Sequence, residues 1–83
     1  MDRTCADISR EALALCKKWV KPGDSYEYSK HTNYPITETV LAFTPSDIII
    51  SNDTHLKLYV DPARVWSCIK ETTTIKLRML ELA

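Results

Sequence analysis

Between residues 4 and 20, apolar side chains recur at Cys5, Ile8, Ala12, Leu15, Cys16 and Trp19. These spacings of three and four align them on one face of an α-helix. Thr4 suits the N-cap, Asp7 lies where the helix dipole favours an acid, and Lys17 and Lys18 lie where it favours bases. Pro22-Gly23-Asp24 then stops the helix.

From residue 25 the period shortens to two. Ser25-Tyr26-Glu27-Tyr28 alternates polar and aromatic residues and predicts a short, half-exposed strand leading into a loop, with Pro35 assigning it to a sheet edge. The run Val40-Leu41-Ala42-Phe43 predicts a strand covered on both faces. Thr44-Pro45-Ser46-Asp47 is a turn, Ile48-Ile49-Ile50 a further strand, and Ser51-Asn52-Asp53-Thr54 another turn. In the next strand Leu56, Leu58 and Val60 point one way and Lys57 and Tyr59 the other. Tight connections between sequential strands make an antiparallel meander.

The last third divides. Asp61-Pro62 is a good helix start with Val65 and Ile69 on its buried face, and a short helix over 62–70 is favoured over a strand rich in β-branched residues. The Thr72-Thr73-Thr74 run disfavours helix, and Ile75, Leu77 and Met79 alternate with Lys76 and Arg78, predicting a strand to about residue 82. The expected architecture is α+β: an N-terminal helix packed on a four- to five-stranded antiparallel sheet, with a second short helix before a C-terminal strand. At 83 residues the chain is one compact domain, 1–83.

Composition narrows the function classes. Eleven basic residues balance eleven acidic ones, so any charge-led function rests on a local patch. No apolar run approaches the roughly 20 residues of a membrane-spanning helix, and the first residues lack the apolar stretch of a secretory signal. Three widely spaced cysteines, Cys5, Cys16 and Cys68, suit reduced thiols and a cytoplasmic setting. Asn52-Asp53-Thr54 matches a glycosylation acceptor but reads as a turn in that setting.

The chemistry-bearing residues do not assemble into a site by spacing. The cysteines with His31 and His55 lack the close ligand pairing of a zinc site. One glycine precludes a glycine-rich phosphate cradle, and Cys68, His31 and His55 form no recognisable nucleophile motif. The expectation is no catalysis, no metal and no cofactor.

Two binding readings follow. Lys17, Lys18, Lys21 and Lys30 lie close in sequence to Tyr26, Tyr28, His31 and Tyr34, the residue types of a single-stranded nucleic-acid platform, although the lysines also satisfy a helix C-terminus. The preferred reading is a stand-alone protein-binding module, an adaptor or an inhibitor acting by occlusion on a larger protein. Its expected contact residues are Tyr26, Tyr28, Lys30, His31, Asn33 and Tyr34, since Tyr, His and Asn are what contact loops use. For Tyr26 and Tyr28 the plain alternative is covering the sheet, and Trp66 is either core or anchor. By analogy, a short chain acting by occlusion resembles the small regulators and anti-defence proteins of phages and mobile elements. A homodimer through an apolar terminal strand over 75–82 is a further expectation.

Overall fold

The computed structural model describes residues 4–29 and 34–81. Its order is α1 (Cys5–Trp19), β1 (Ser25–Tyr28), β2 (Ile36–Phe43), β3 (Ile48–Ser51), β4 (Leu58–Val60), α2 (Pro62–Ile69) and α3 (Thr73–Glu81). The strands form one antiparallel sheet in the order β1-β2-β3-β4, the predicted meander with β1 at an edge. The N-terminal helix packed on this sheet makes the fold α+β.

α1 opens on the expected cap: the Thr4 hydroxyl accepts from the Asp7 N–H at 3.1 Å while the Asp7 carboxylate accepts from the Thr4 N–H. Gly23, at φ 100°, turns the chain in a conformation that favours glycine, and its N–H donates to the Val40 carbonyl at 2.8 Å. The buried face of α1 is rotated from the predicted one. Ala12, Leu13 and Cys16 enter the core, whereas Cys5, Ile8 and Leu15 are exposed. Leu13 lies one turn before Cys16 and Val20 in register with the core, so the 3-4 spacing that selected Ile8 and Leu15 describes a neighbouring stripe.

One cluster holds the molecule together: Leu13, Cys16 and Val20 from α1 and its end, Tyr26, Val40, Ile48, Ile50 and Val60 from the sheet, and Val65, Ile69 and Ile75 from α2 and α3. These buried helix residues share one core with the inner face of the sheet. The opposite, outer face carries Ser25, Glu27, Thr37, Thr39, Ile49, Ser51 and Tyr59, and no described element covers it.

The expectation that 40–43 is covered on both faces is therefore corrected. A register shift between Val40 and Ala42 places an extra residue, Leu41, in β2, so Val40 opposite Ile50 and Phe43 opposite Ile48 both return to the inner face. The bulge makes the apolar run continuous. Leu41 itself is 42% exposed.

Two element assignments also change. β4 starts only at Leu58, leaving Leu56 in the preceding loop, because Asn52 organises a wider turn: its side-chain oxygen accepts from the N–H groups of Thr54 and His55 at 3.0 and 2.9 Å. The C-terminal strand expected over 75–82 is helix α3. The threonine run supplies a cap, since the Thr72 hydroxyl accepts from the Ile75 N–H at 3.4 Å and the Lys76 N–H donates to the Thr72 carbonyl at 3.1 Å. Ile75 and Met79 sit four apart and face the core together, a spacing that alternation and a helical turn share. The helix over 62–70 forms as α2, its Asp61 carboxylate accepting from the Ala63 N–H at 2.9 Å.

Arg78 fastens α3 to the start of the sheet. Its guanidinium donates to the Trp19 carbonyl at 3.0 Å and pairs with the Asp24 carboxylate, at 3.0 Å for one of the two contacts. Burial pushes the Asp24 carboxyl up, but the hydrogen bond from Arg78, the Lys21 N–H and the Arg78 charge outweigh it and hold it below its usual value of 3.8. The folded state thus binds protons less readily than the unfolded chain. The pair's stabilisation is complete above the unfolded value and lost as pH falls through the lower folded one. We expect the melting temperature to drop between about pH 4 and pH 2, and the drop to be shallower in Arg78→Met; equal slopes would show that Asp24 carries none of it. Asp7, held low first by the Thr4 hydroxyl, contributes in the same direction and is common to both proteins.

Candidate functional site

The most polar point of the interior is Glu38, completely buried on the inner face of β2. Its carboxylate accepts from the Tyr26 hydroxyl at 3.0 Å, from the Asn52 side-chain amide at 2.9 Å, and from one Arg64 nitrogen at 2.8 and 2.7 Å. Arg64 also lies over the Tyr28 ring, 3.7 Å from its centre. Burial, with the Glu38 charge second, drives the Tyr26 phenol far above its ordinary range, so it remains a donor. The network ties α2, β1, β2 and the Asn52 turn into one unit.

This arrangement sorts the predicted contact residues. Tyr26 is 3% exposed and belongs to the core, which corrects its assignment to a contact surface. Its place follows from period two, since it shares a face with the buried Glu38 opposite. Tyr28 is half-buried beneath Arg64. Lys30, His31 and Asn33 lie outside the described residues. Tyr34 is 82% exposed.

In a meander the β1–β2 and β3–β4 connections emerge at the same end of the sheet. Tyr34 belongs to the first connection. Leu56, 93% exposed, belongs to the second. They are the two most exposed large apolar side chains among the described residues, and folding has left both at one end. His55 stands beside Leu56 with its Nδ1 2.9 Å from the Thr54 hydroxyl, and Lys57 follows, its Nζ 5.4 Å from the Tyr59 ring centre. The sequence reading missed Leu56 because alternation with Leu58 and Val60 assigned it to a strand interior. The signal against that was the turn chemistry of Asn52.

Lys17, Lys18 and Lys21 sit at the other end, where α1 finishes and before β1 begins. Lys18 rests on Trp19, 5.0 Å from the ring centre. Proximity in sequence to Tyr34 thus does not become proximity along the sheet.

Other candidate chemistry is sparse. Among the described residues no three His, Cys, Asp or Glu side chains gather as a metal site. Cys16 is completely buried in the core, and this burial pushes its thiol up to about 12. A groove of about 310 Å³ between α1 and α2 is lined by Ile8, Leu15, Ala63 and the half-buried Trp66, among others, and one of about 420 Å³ lies between α1 and the β2–β3 turn. Neither lining contains a histidine. No described helix is long and apolar enough to cross a membrane.

Comparison with known proteins finds no matching family model, no matching curated protein and no matching solved structure.

Proposed function

We propose that this chain is a protein-binding module, an adaptor or an inhibitor acting by occlusion, that docks on a larger protein through the loop end of its sheet. The observation that carries this reading is the exposure of Leu56 and Tyr34 on two loops that the meander brings to one end. Large apolar side chains held out by a rigid scaffold cost about 25 cal/mol per Å² of apolar area left in water, and a partner's pocket recovers that free energy. The Asn52 turn is fixed from below by the bond to Glu38, so Leu56 is presented by an ordered loop and little entropy is lost on docking.

The buried network beneath the loops supports a structural role for Glu38 and Arg64 and leaves recognition to the residues above them. The nucleic-acid alternative draws less support. Of its aromatics, Tyr26 is in the core and Tyr28 is occupied by Arg64, while Lys17, Lys18 and Lys21, its described lysines, lie at the far end.

The test is capture of partners from cell lysate at low and high salt, with the wild type and a Leu56→Asp/Tyr34→Ala variant. A stoichiometric protein retained at high salt by the wild type and lost by the variant supports the proposal. Retention of the same protein by both the wild type and the variant places the contact elsewhere, and nucleic acid stripped by salt replaces the reading.

A further inference from the structure

The outer face of the sheet has the character of a buried surface without a cover. Leu41 is 42% and Tyr59 56% exposed, with Ala42 and Ile49 beside them, and the rest of the face is hydroxyl: Ser25, Thr37, Thr39 and Ser51. Ser25 and Thr39 already bond each other across β1 and β2 at 2.8 Å, which leaves the centre of the face with little unsatisfied polarity. Charge occurs only at its two borders. Glu27 points outward from β1, and Lys57, which leans on Tyr59, flanks β4.

An acid on one edge strand and a base on the other make this face complementary to itself. A two-fold axis parallel to the strands places β1 of one copy over β4 of its partner and β2 over β3. Glu27 then faces the Lys57 border of the other sheet twice over, and Leu41 and Ile49 meet at the centre. A two-fold axis across the strands would instead set β1 over β1 and β4 over β4, so that neither Glu27 nor Lys57 meets its opposite charge. Two sheets stack about 10 Å apart, which a glutamate and a lysine reaching toward each other span. A face of four strands about 4.8 Å apart buries on the order of 1,000 Å² in such a pair, the lower bound for a specific interface. Eleven acids against eleven bases leave no net repulsion between copies.

We propose that the uncovered face of the sheet is the interface of a two-fold dimer in which the sheets of two copies stack, β1 over β4. This goes beyond the binding reading, which uses the loop end of the sheet, and does not depend on it. It also moves self-association from the chain's last segment, which is helix α3, to the sheet face.

The experiment is sedimentation of the full chain from about 1 to 500 μM, with Glu27→Lys, Lys57→Glu and the double swap. Both side chains are exposed, and circular dichroism checks that each variant is folded. A dimer is expected for the wild type. Each single swap creates two like-charge contacts by symmetry and weakens association at least about tenfold, and the double swap restores it. A wild type that stays monomeric throughout overturns the proposal. So does a dimer indifferent to both single swaps, which would place the contact on another surface such as the α1–α2 groove. Leu41→Asp provides a second reading free of the charge pair: a variant that is folded and still dimeric also overturns it.

Discussion

Replacing Glu38 with alanine is expected to cost about 3–5 kcal/mol, because it leaves the Arg64 guanidinium, the Tyr26 hydroxyl and the Asn52 amide without the acceptor they share. A domain of this size has a total stability on the order of 5–10 kcal/mol, so the variant sits close to unfolding at room temperature. The loss comes from the orphaned partners rather than from the strength of any one bond. It follows that a Glu38→Leu/Arg64→Met double variant recovers most of the stability, since it removes both charges and keeps the apolar volume. Tyr26→Phe removes one donor and costs about 1 kcal/mol. Urea unfolding checks all three. A fall below about 1 kcal/mol for Glu38→Ala would mean that water reaches the carboxylate and the network is not closed.

Ile75→Ala is expected to cost about 2–5 kcal/mol, the range for deleting a large aliphatic side chain from a packed interior. In a domain of under 100 residues this lowers the melting temperature by on the order of 10–40 °C. The informative comparison is with Leu77→Ala. In a strand, residues 75 and 77 would share a face and the two substitutions would cost alike. In α3 they lie about 200° apart around the axis, Ile75 inside and Leu77 exposed, so Leu77→Ala changes stability by no more than about 0.5 kcal/mol. Equal and large losses would show that the segment pairs as a strand.

These substitutions also mark where the sequence could be read and where it could not. Local signals were sufficient for α1, with Thr4, Asp7 and Gly23 each in the predicted role, and for α2, whose Asp61-Pro62 start works as a cap. They were sufficient for the meander, because the turns at 44–47 and 51–54 carry their own chemistry. They failed where two periods coincide. Ile75 and Met79 fit an alternating strand and one helical turn equally well, and it is the cap formed by Thr72 that decides for the helix. They failed again at Leu41, where an extra residue in β2 imitates a doubly covered strand.

Of the candidate contact residues, Tyr34 is exposed and Tyr26 is buried. The tyrosine-rich composition of the segment could not distinguish a residue facing Glu38 from one facing solvent. The parity of Glu38 with Val40 in Glu38-Thr39-Val40 was the available clue, since it points an acid inward and demands donors from neighbouring strands. Leu56 was hidden by a different effect: the side-chain oxygen of Asn52 competes with the sheet for the backbone and holds the next residues off it.

The binding reading separates two layers at one end of the sheet, a buried network that supports and a pair of apolar side chains that contact. The most direct measurement is the affinity of the captured partner for purified wild type, Leu56→Asp and Tyr34→Ala by calorimetry, alongside the melting temperature of each. The predicted result is a loss of at least about 100-fold in affinity for Leu56→Asp, corresponding to about 2.7 kcal/mol, with a melting temperature within a few degrees of wild type. Unchanged affinity with an unchanged melting temperature would contradict it and show that the loop end of the sheet is not where this protein meets its partner.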